Sequence, residues 1–465
     1  MSVLEALVAL DRTRPLAAQL TAELREAIAT GRLAPGTRLP SSRDLAADLR
    51  VSRGVVVEAY EQLVAEGRVV ARRGAGTTVA GVPEIPVIRG DSTRHADDTP
   101  ELVPDHRDRR VLRPGVPDLS RFPRGWWVRA YERAVRGVRD DELGYGDPAG
   151  APRLRGELAG YLGRVRGARI APDHLVVTTG AAQAFGLLAA ALRADGHDAV
   201  GVEEPGSVGV RDELHGHGLR TVPLPVDADG LDPAALDRAG LPAVLVTPAH
   251  QFPTGVVLSP ARRSALLAWA RRTGGLIVED DYDAEFRYDR DPVGCLQGLA
   301  PEHVAYVGSA SKGLAPGLRL GWLAVPPRLR AAVLAGKEIA DLGGPVLEQL
   351  AFAELLAAGG YDRHLRRVRR VYRARRDALV DQLRRHLPAA RVSGVAAGLH
   401  LVVELPDGVD DEALARAAYA VGLGPLPLRR LRIVPGGPPG LVLGYAAHTP
   451  DELSRAVRAL AALVP

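Results

Sequence analysis

Cysteine, lysine and asparagine are almost missing from these 465 residues: one cysteine, two lysines and no asparagine. The lone Cys295 excludes an internal disulfide, and no uninterrupted apolar stretch approaches the ~20 residues that span a bilayer. The opening Val3 to Leu10 run is short, is broken by Glu5 and is followed by Asp11-Arg12, so it lacks a signal-peptide layout. The expectation is a cytoplasmic protein with no membrane partner. A formal charge of +4, from 60 basic and 56 acidic residues, does not by itself imply nucleic acid. The lysine shortage is more informative, because one of the two, Lys312, sits in a Ser-x-Ser-Lys context where arginine cannot replace its chemistry. Schiff-base formation is that chemistry.

With 46% hydrophobic residues the chain can fill sizeable cores, and its length leaves room for two to four domains. Three textures separate: residues 1–80 alternate short helical patterns with turns, 81–110 read as a proline-bearing charged linker, and 111–465 form the rest. In the last region Leu175-Val176-Val177, Ala243 to Thr247 and Leu276-Ile277-Val278 alternate with longer helical patterns, which predicts βαβ units around a mostly parallel sheet.

Leu16, Leu20, Leu24 and Ile28 place a first helix before Gly31. Beyond the turn Pro35 to Pro40, Ser41 can cap a second short helix and Ser52 a third, whose buried stripe would be Val56, Ala59, Tyr60 and Leu63. Two short helices and a tight turn suggest helix-turn-helix, and Gly67 to Val79 supplies two strands around a basic, glycine-rich wing. Gly31-Arg32-Leu33, Pro35-Gly36, Arg38 to Arg43, Leu45-Ala46 and Ser52-Arg53 resemble the winged helix of the GntR family. The resemblance implies that Arg43 and Arg53 contact DNA from two helix starts, with Ser41 and Ser52 on phosphates and Arg72 and Arg73 along the backbone. Helix N-termini attract phosphate, and arginine reads guanine bidentately. Val57 is apolar where some relatives are basic.

Five landmarks in the larger region fit a pyridoxal-phosphate site. Tyr145 to Gly150 leads into a helix, and Val176 to Gln183 is a strand entering a helix whose free N–H groups near Gly180 and Ala181 can hold phosphate. Ile277 to Tyr282 ends a strand with acids and a phenol: Asp280 suits a pyridine nitrogen and Tyr282 a ring 3-oxygen, with Asp281 the alternative carboxylate. Tyr306 to Trp322 carries Lys312 and strongly resembles the cofactor-lysine segment of fold-type I aminotransferases. That resemblance implies Lys312 as Schiff-base residue, Ser309 and Ser311 beside the cofactor phosphate, and Arg319 as its clamp. The fifth, Thr247 to Gly255, has His-Gln-aromatic-Pro where aminotransferases contribute an asparagine, and so looks like the MocR subfamily of GntR-type regulators. His250 there either meets the cofactor or satisfies a turn.

The reading is a multidomain chain, an N-terminal winged helix-turn-helix plus a C-terminal α/β fold-type I aminotransferase-like domain. The resemblance implies pyridoxal 5'-phosphate as cofactor, an operator in double-stranded DNA as partner, and a homodimer. Two departures stand out: Val442 occupies the position of the usual carboxylate-binding arginine, and Ser207 that of a frequent aromatic. They favour a regulator that senses pyridoxal phosphate or an adduct, as its small-molecule effector, over a working aminotransferase. Arg429, Arg430 or Arg432 could replace the missing arginine in the enzyme reading.

Overall fold

The structure is a computed structural model, in which residues 10–72, 76–80, 110–289 and 293–464 are described. The chain divides into two compact units, Met1–Glu101 and Leu102–Pro465. Arg73 and nearly all of the anticipated linker lie outside the described residues. Arg110, the last residue assigned to that linker, places its guanidinium over the Tyr419 ring and so belongs with the larger unit.

The small unit follows its apolar spacing. Helices α1 (Leu16–Ala29), α2 (Ser42–Asp48) and α3 (Arg53–Ala65) bury Leu20, Leu24, Leu45, Val56, Ala59 and Leu63 in one core. Ser41 Oγ accepts from the Asp44 N–H at 3.2 Å and Ser52 Oγ from the Val55 N–H at 3.4 Å, so both serines cap helices. The wing strands are β2 (Val69–Arg72) and β3 (Gly76–Val79). The Pro35 to Pro40 stretch is more than a turn: its Arg38–Leu39 forms strand β1, which pairs antiparallel with β3 and buries Leu39.

The larger unit runs α4 (Arg124–Gly137), α5 (Pro152–Arg166), β4 (Leu175–Thr178), α6 (Ala181–Ala194), β5 (Ala199–Glu204), α7 (Val208–Gly216), β6 (Arg220–Asp227), β7 (Gly230–Leu231), α8 (Pro233–Ala239), β8 (Ala243–Val246), α9 (Pro260–Thr273) and β9 (Leu276–Asp280). It continues with β10 (Val304–Ser309), β11 (Gly321–Ala324), α10 (Arg330–Asp341), α11 (Val346–Ala357) and α12 (Gly360–His386), and ends with β12 (Arg391–Ser393), β13 (His400–Glu404), α13 (Asp411–Ala420), β14 (Leu426–Pro427), β15 (Gly440–Gly444) and α14 (Pro450–Ala461). The main sheet has the order β4-β11-β10-β9-β8-β5-β6-β7. Pairs β10–β9, β9–β8, β8–β5 and β5–β6 are parallel, as the buried apolar runs require, whereas β11 is antiparallel to both of its neighbours. Strands β12 to β15 make a separate antiparallel sheet. Cys295 is buried, and burial pushes its thiol up to about 12.

Candidate functional site

Open α/β sheets place ligands beyond the carboxyl ends of their strands. Here a cavity of about 680 Å³ lies at those ends. Its lining takes Ala181 and Ala182 after β4, Glu203 from β5, Thr247 after β8, Asp280 from β9 and Ser309 from β10. Tyr282, Ser311, Lys312 and Arg319 join them, while Leu399, His400 and Leu426 come from around the second sheet.

The Lys312 Nζ donates to the Gly115 carbonyl at 2.7 Å. Burial lowers its pKa, against the pull of Asp283 and Asp280. The Asp280 carboxylate has no hydrogen-bond partner among the described residues. Burial, reinforced by Asp281, Asp283 and Glu203, pushes its carboxyl up to about 8, with Lys312 opposing. Glu203, which sequence reasoning left without a role, also faces the cavity. Burial raises it to about 7 although Thr247 and Gln251 donate to it. Nothing in one of two consecutive glutamates distinguishes such a residue in sequence.

Strand alternation puts Asp280 and Tyr282 on the cavity side and Asp281 on the other. Asp281, the alternative carboxylate, is buried and engaged by Arg166, whose Nε lies 2.7 Å from its Oδ2, and by the Tyr306 hydroxyl. His250 stands behind the wall. Its Nδ1 is 3.0 Å from the Tyr282 hydroxyl and 2.9 Å from Asp283 Oδ2, so it braces Tyr282 and is not part of the lining.

Helix α6 begins without any side-chain cap, after Gly180 at φ +97°. A Cβ at Gly180 would lie 2.6 Å from Arg319 Nη2, so glycine lets the guanidinium close over the helix start. Arg319 is itself left-handed at φ +50°, and its Nη2 donates to the Thr179 carbonyl. Unfilled N–H donors and a guanidinium thus share one end of the cavity, where an anion is stabilised. Ser309 and Ser311 line the same cavity, with the Ser311 N–H 3.4 Å from Ser309 Oγ.

Two expectations about substrate binding change. Val442 is fully buried among Val402, Leu428 and Leu431 and is absent from the lining, so its identity does not by itself decide what the cavity accepts. Of the three arginines, Arg430 lines the cavity, its Nε 3.7 Å from Glu412 Oε1; Arg429 and Arg432 line a different one. Ser207 lines the cavity and caps α7, its Oγ accepting from the Val210 N–H at 3.4 Å. Gly115 escaped notice because it acts through a backbone carbonyl, which carries no side-chain signal.

In the small unit, Arg43 and Arg53 are exposed at the starts of α2 and α3. Arg53 Nε donates to Ser42 Oγ at 3.2 Å, which orients one guanidinium across the helix-turn-helix. Arg72 is exposed at the end of β2, and Ser41 Oγ also donates to Asp44 Oδ2 at 2.7 Å. The Tyr60 hydroxyl ties α3 to the Pro40 carbonyl at 3.0 Å.

Both units match known families. Residues 16–79 match the model described as "Bacterial regulatory proteins, gntR family", and residues 124–460 match "Aminotransferase class I and II". The Probable rhizopine catabolism regulatory protein MocR of Rhizobium meliloti is 35% identical over 97% of this chain and 94% of its own. The HTH-type pyridoxine biosynthesis transcriptional regulator PdxR of Corynebacterium glutamicum is 36% identical over 94% of this chain and 93% of its own. Among solved structures, an archaeal alanine:glyoxylate aminotransferase aligns with a TM-score of 0.71 at 25% identity, over 76% of this chain and 90% of that one. The α-aminoadipate aminotransferase LysN of Thermus thermophilus, complexed with N-(5'-phosphopyridoxyl)-L-leucine, aligns with a TM-score of 0.68 at 29% identity, over 76% of this chain and 91% of that one.

Proposed function

The chain belongs to the GntR family of bacterial transcriptional regulators, in the MocR-type group with an aminotransferase class I and II domain, and from that premise we propose that pyridoxal phosphate or its adduct is the effector this regulator senses. The supporting observation is one cavity that holds a half-buried lysine amine, an unpartnered carboxyl and an uncapped helix start. When bound, pyridoxal phosphate supplies an aldehyde that condenses with an amine, and a pyridine ring that acts as an electron sink.

In this reading Lys312 is the condensing amine, and Gly115 holds its Nζ in place until then. Asp280 keeps a ring nitrogen protonated, a role that also relieves its own buried position. Tyr282, braced by His250, donates toward the ring 3-oxygen. The Gly180–Ala181 N–H groups, Ser309, Ser311 and Arg319 take the phosphate. Arg43 and Arg53 read the operator, Ser41 and Ser52 hold the helix starts against phosphates, and Arg72 and Arg73 follow the backbone. A regulator of this kind works in the cytoplasm, and among the described residues no helix is long and apolar enough to cross a membrane. The Corynebacterium relative, named for pyridoxine biosynthesis, supports an effector of this chemical class.

We propose a homodimer as well. Leu143, Tyr145, Ile339 and Leu342 are between 51% and 91% exposed, and their two segments meet where the Asp147 carbonyl approaches Gly343. A patch of that kind suits a second copy, and two winged helices then address paired half-sites.

Arg430, which lines the cavity, favours a second reading, an aminotransferase that holds a substrate carboxylate there. An amino-acid panel added to cofactor-loaded protein separates the two. The sensor reading expects an unchanged near-visible spectrum with every amino acid. Rapid conversion to the pyridoxamine form, abolished by Arg430→Ala, establishes the enzyme reading instead.

A further inference from the structure

The larger unit carries a second concentration of positive charge, far richer than a net charge of +4 suggests. On α12, Arg363, Arg366, Arg367, Arg370 and Arg373 are all exposed. At helical spacing they form one stripe, because residues three and four apart share a face. The stripe covers about 15 Å at 1.5 Å per residue. None of the five has an acidic partner among the described residues. The acids on the same helix that flank the stripe are already engaged: Asp362 lies 3.6 Å from Arg164, and Asp377 lies 3.5 Å from Arg376. Arg363 has only the Ala358 carbonyl as acceptor, at 2.9 Å.

An aromatic ring interleaves the row. Trp126 of α4 lies under both Arg363 and Arg367, whose guanidinium carbons are 5.6 and 5.7 Å from its ring centroid. Cation–π contact spreads these side chains over an apolar plate and holds their forks outward. Uncompensated, repelling guanidinium groups on a surface are costly to maintain without an anion. A straight row of planar forks is complementary to a linear array of phosphates, each fork able to bond one phosphate bidentately.

We propose that this face of α12 and Trp126 is a second, sequence-independent contact for the phosphodiester backbone of double-stranded DNA. Duplex DNA is the polyanion that a regulator with a GntR-type helix-turn-helix already meets, and its regular array of phosphates matches the row in charge and in periodicity. The row carries charge without a base-reading helix end, and so adds affinity and salt dependence while leaving sequence choice to the small unit.

The test uses the full-length, cofactor-loaded chain and a long duplex lacking the operator, titrated across salt. Three proteins are compared: the parent, Arg43→Ala/Arg53→Ala, and that double variant with Arg366→Ala/Arg370→Ala/Arg373→Ala added. The double variant should retain salt-dependent duplex binding. Adding the three substitutions should weaken that binding at least tenfold at low salt and lower the salt slope by about 2–3, near 0.9 per lost phosphate contact. Near-visible absorbance of the loaded cavity reports that the larger unit remains folded. An unchanged slope in the quintuple variant, or no residual binding in the double variant, overturns the proposal. Competition by an acidic polypeptide as effective as duplex at equal charge also overturns it, in favour of a protein partner. Should Arg43→Ala/Arg53→Ala leave operator binding intact, the operator reading fails while the α12 comparison still decides this one.

Discussion

Asp280 sits where its surroundings favour the neutral carboxyl. Its carboxyl is pushed up to about 8 by burial and by its acidic neighbours, against about 3.9 for an unfolded aspartate. The folded state therefore binds the proton more tightly. The stability this contributes is complete below about pH 4 and declines as the pH rises through about 8. In cofactor-free protein, Asp280→Asn should flatten the fall in thermal midpoint between about pH 5 and pH 8, read by calorimetry. The same substitution should weaken pyridoxal phosphate binding by roughly 10–100-fold, the worth of a charge-assisted hydrogen bond. A variant that binds the cofactor as the parent does removes Asp280 from the site. Lys312→Ala should abolish the near-visible absorbance of loaded protein, and borohydride should fix the cofactor to Lys312 and not to Lys337. Lys337 is buried and ion-paired with Asp341. Val442→Arg illustrates the limit of sequence reasoning at this scale. From sequence the position reads as a lost carboxylate clamp, but the valine is enclosed by apolar side chains, so the substitution should cost several kcal/mol of stability without giving an amino-acid response. That Lys312, Asp280 and Tyr282 share one cavity was legible, because side-chain type, strand alternation and the resemblance of the lysine segment all pointed to one site. Gly115 and Glu203 were not, since a carbonyl and a burial environment exist only once distant strands converge.

Helices α2 and α3 show how far periodicity carries an element. Their caps and the stripe of Val56, Ala59, Tyr60 and Leu63 are those the sequence predicts, because capping serines and 3.6-residue spacing are local signals. Strand β1 was missed for the opposite reason: two residues inside a proline- and glycine-bearing turn become a strand only by pairing with β3, far along the chain. Ser41→Ala and Ser52→Ala should each destabilise the small unit by about 1 kcal/mol, measured by its own unfolding transition. Arg43→Ala and Arg53→Ala should instead leave that transition in place and cost about 1–3 kcal/mol of operator binding where a base is read, or lower the salt slope by about 1 where a phosphate is held. Cofactor absorbance should not change in any of the four.

At the scale of the whole molecule, a ligand shifts DNA binding only by its different affinity for DNA-competent and incompetent states. The sequence conveyed that two functional units share this chain, through two sets of local motifs, but it carried no sign of the unpaired arginine row on α12, which needs a folded surface to be seen as uncompensated. The central claim is that cavity occupancy at Lys312 controls operator affinity. Operator binding by parent and Lys312→Ala protein, each titrated with pyridoxal phosphate at fixed salt, tests it most directly. The account predicts that the cofactor shifts the dissociation constant of the parent several-fold and leaves that of Lys312→Ala unmoved. Isotherms of the parent that superimpose with and without pyridoxal phosphate, or an equal shift in both proteins, would contradict it.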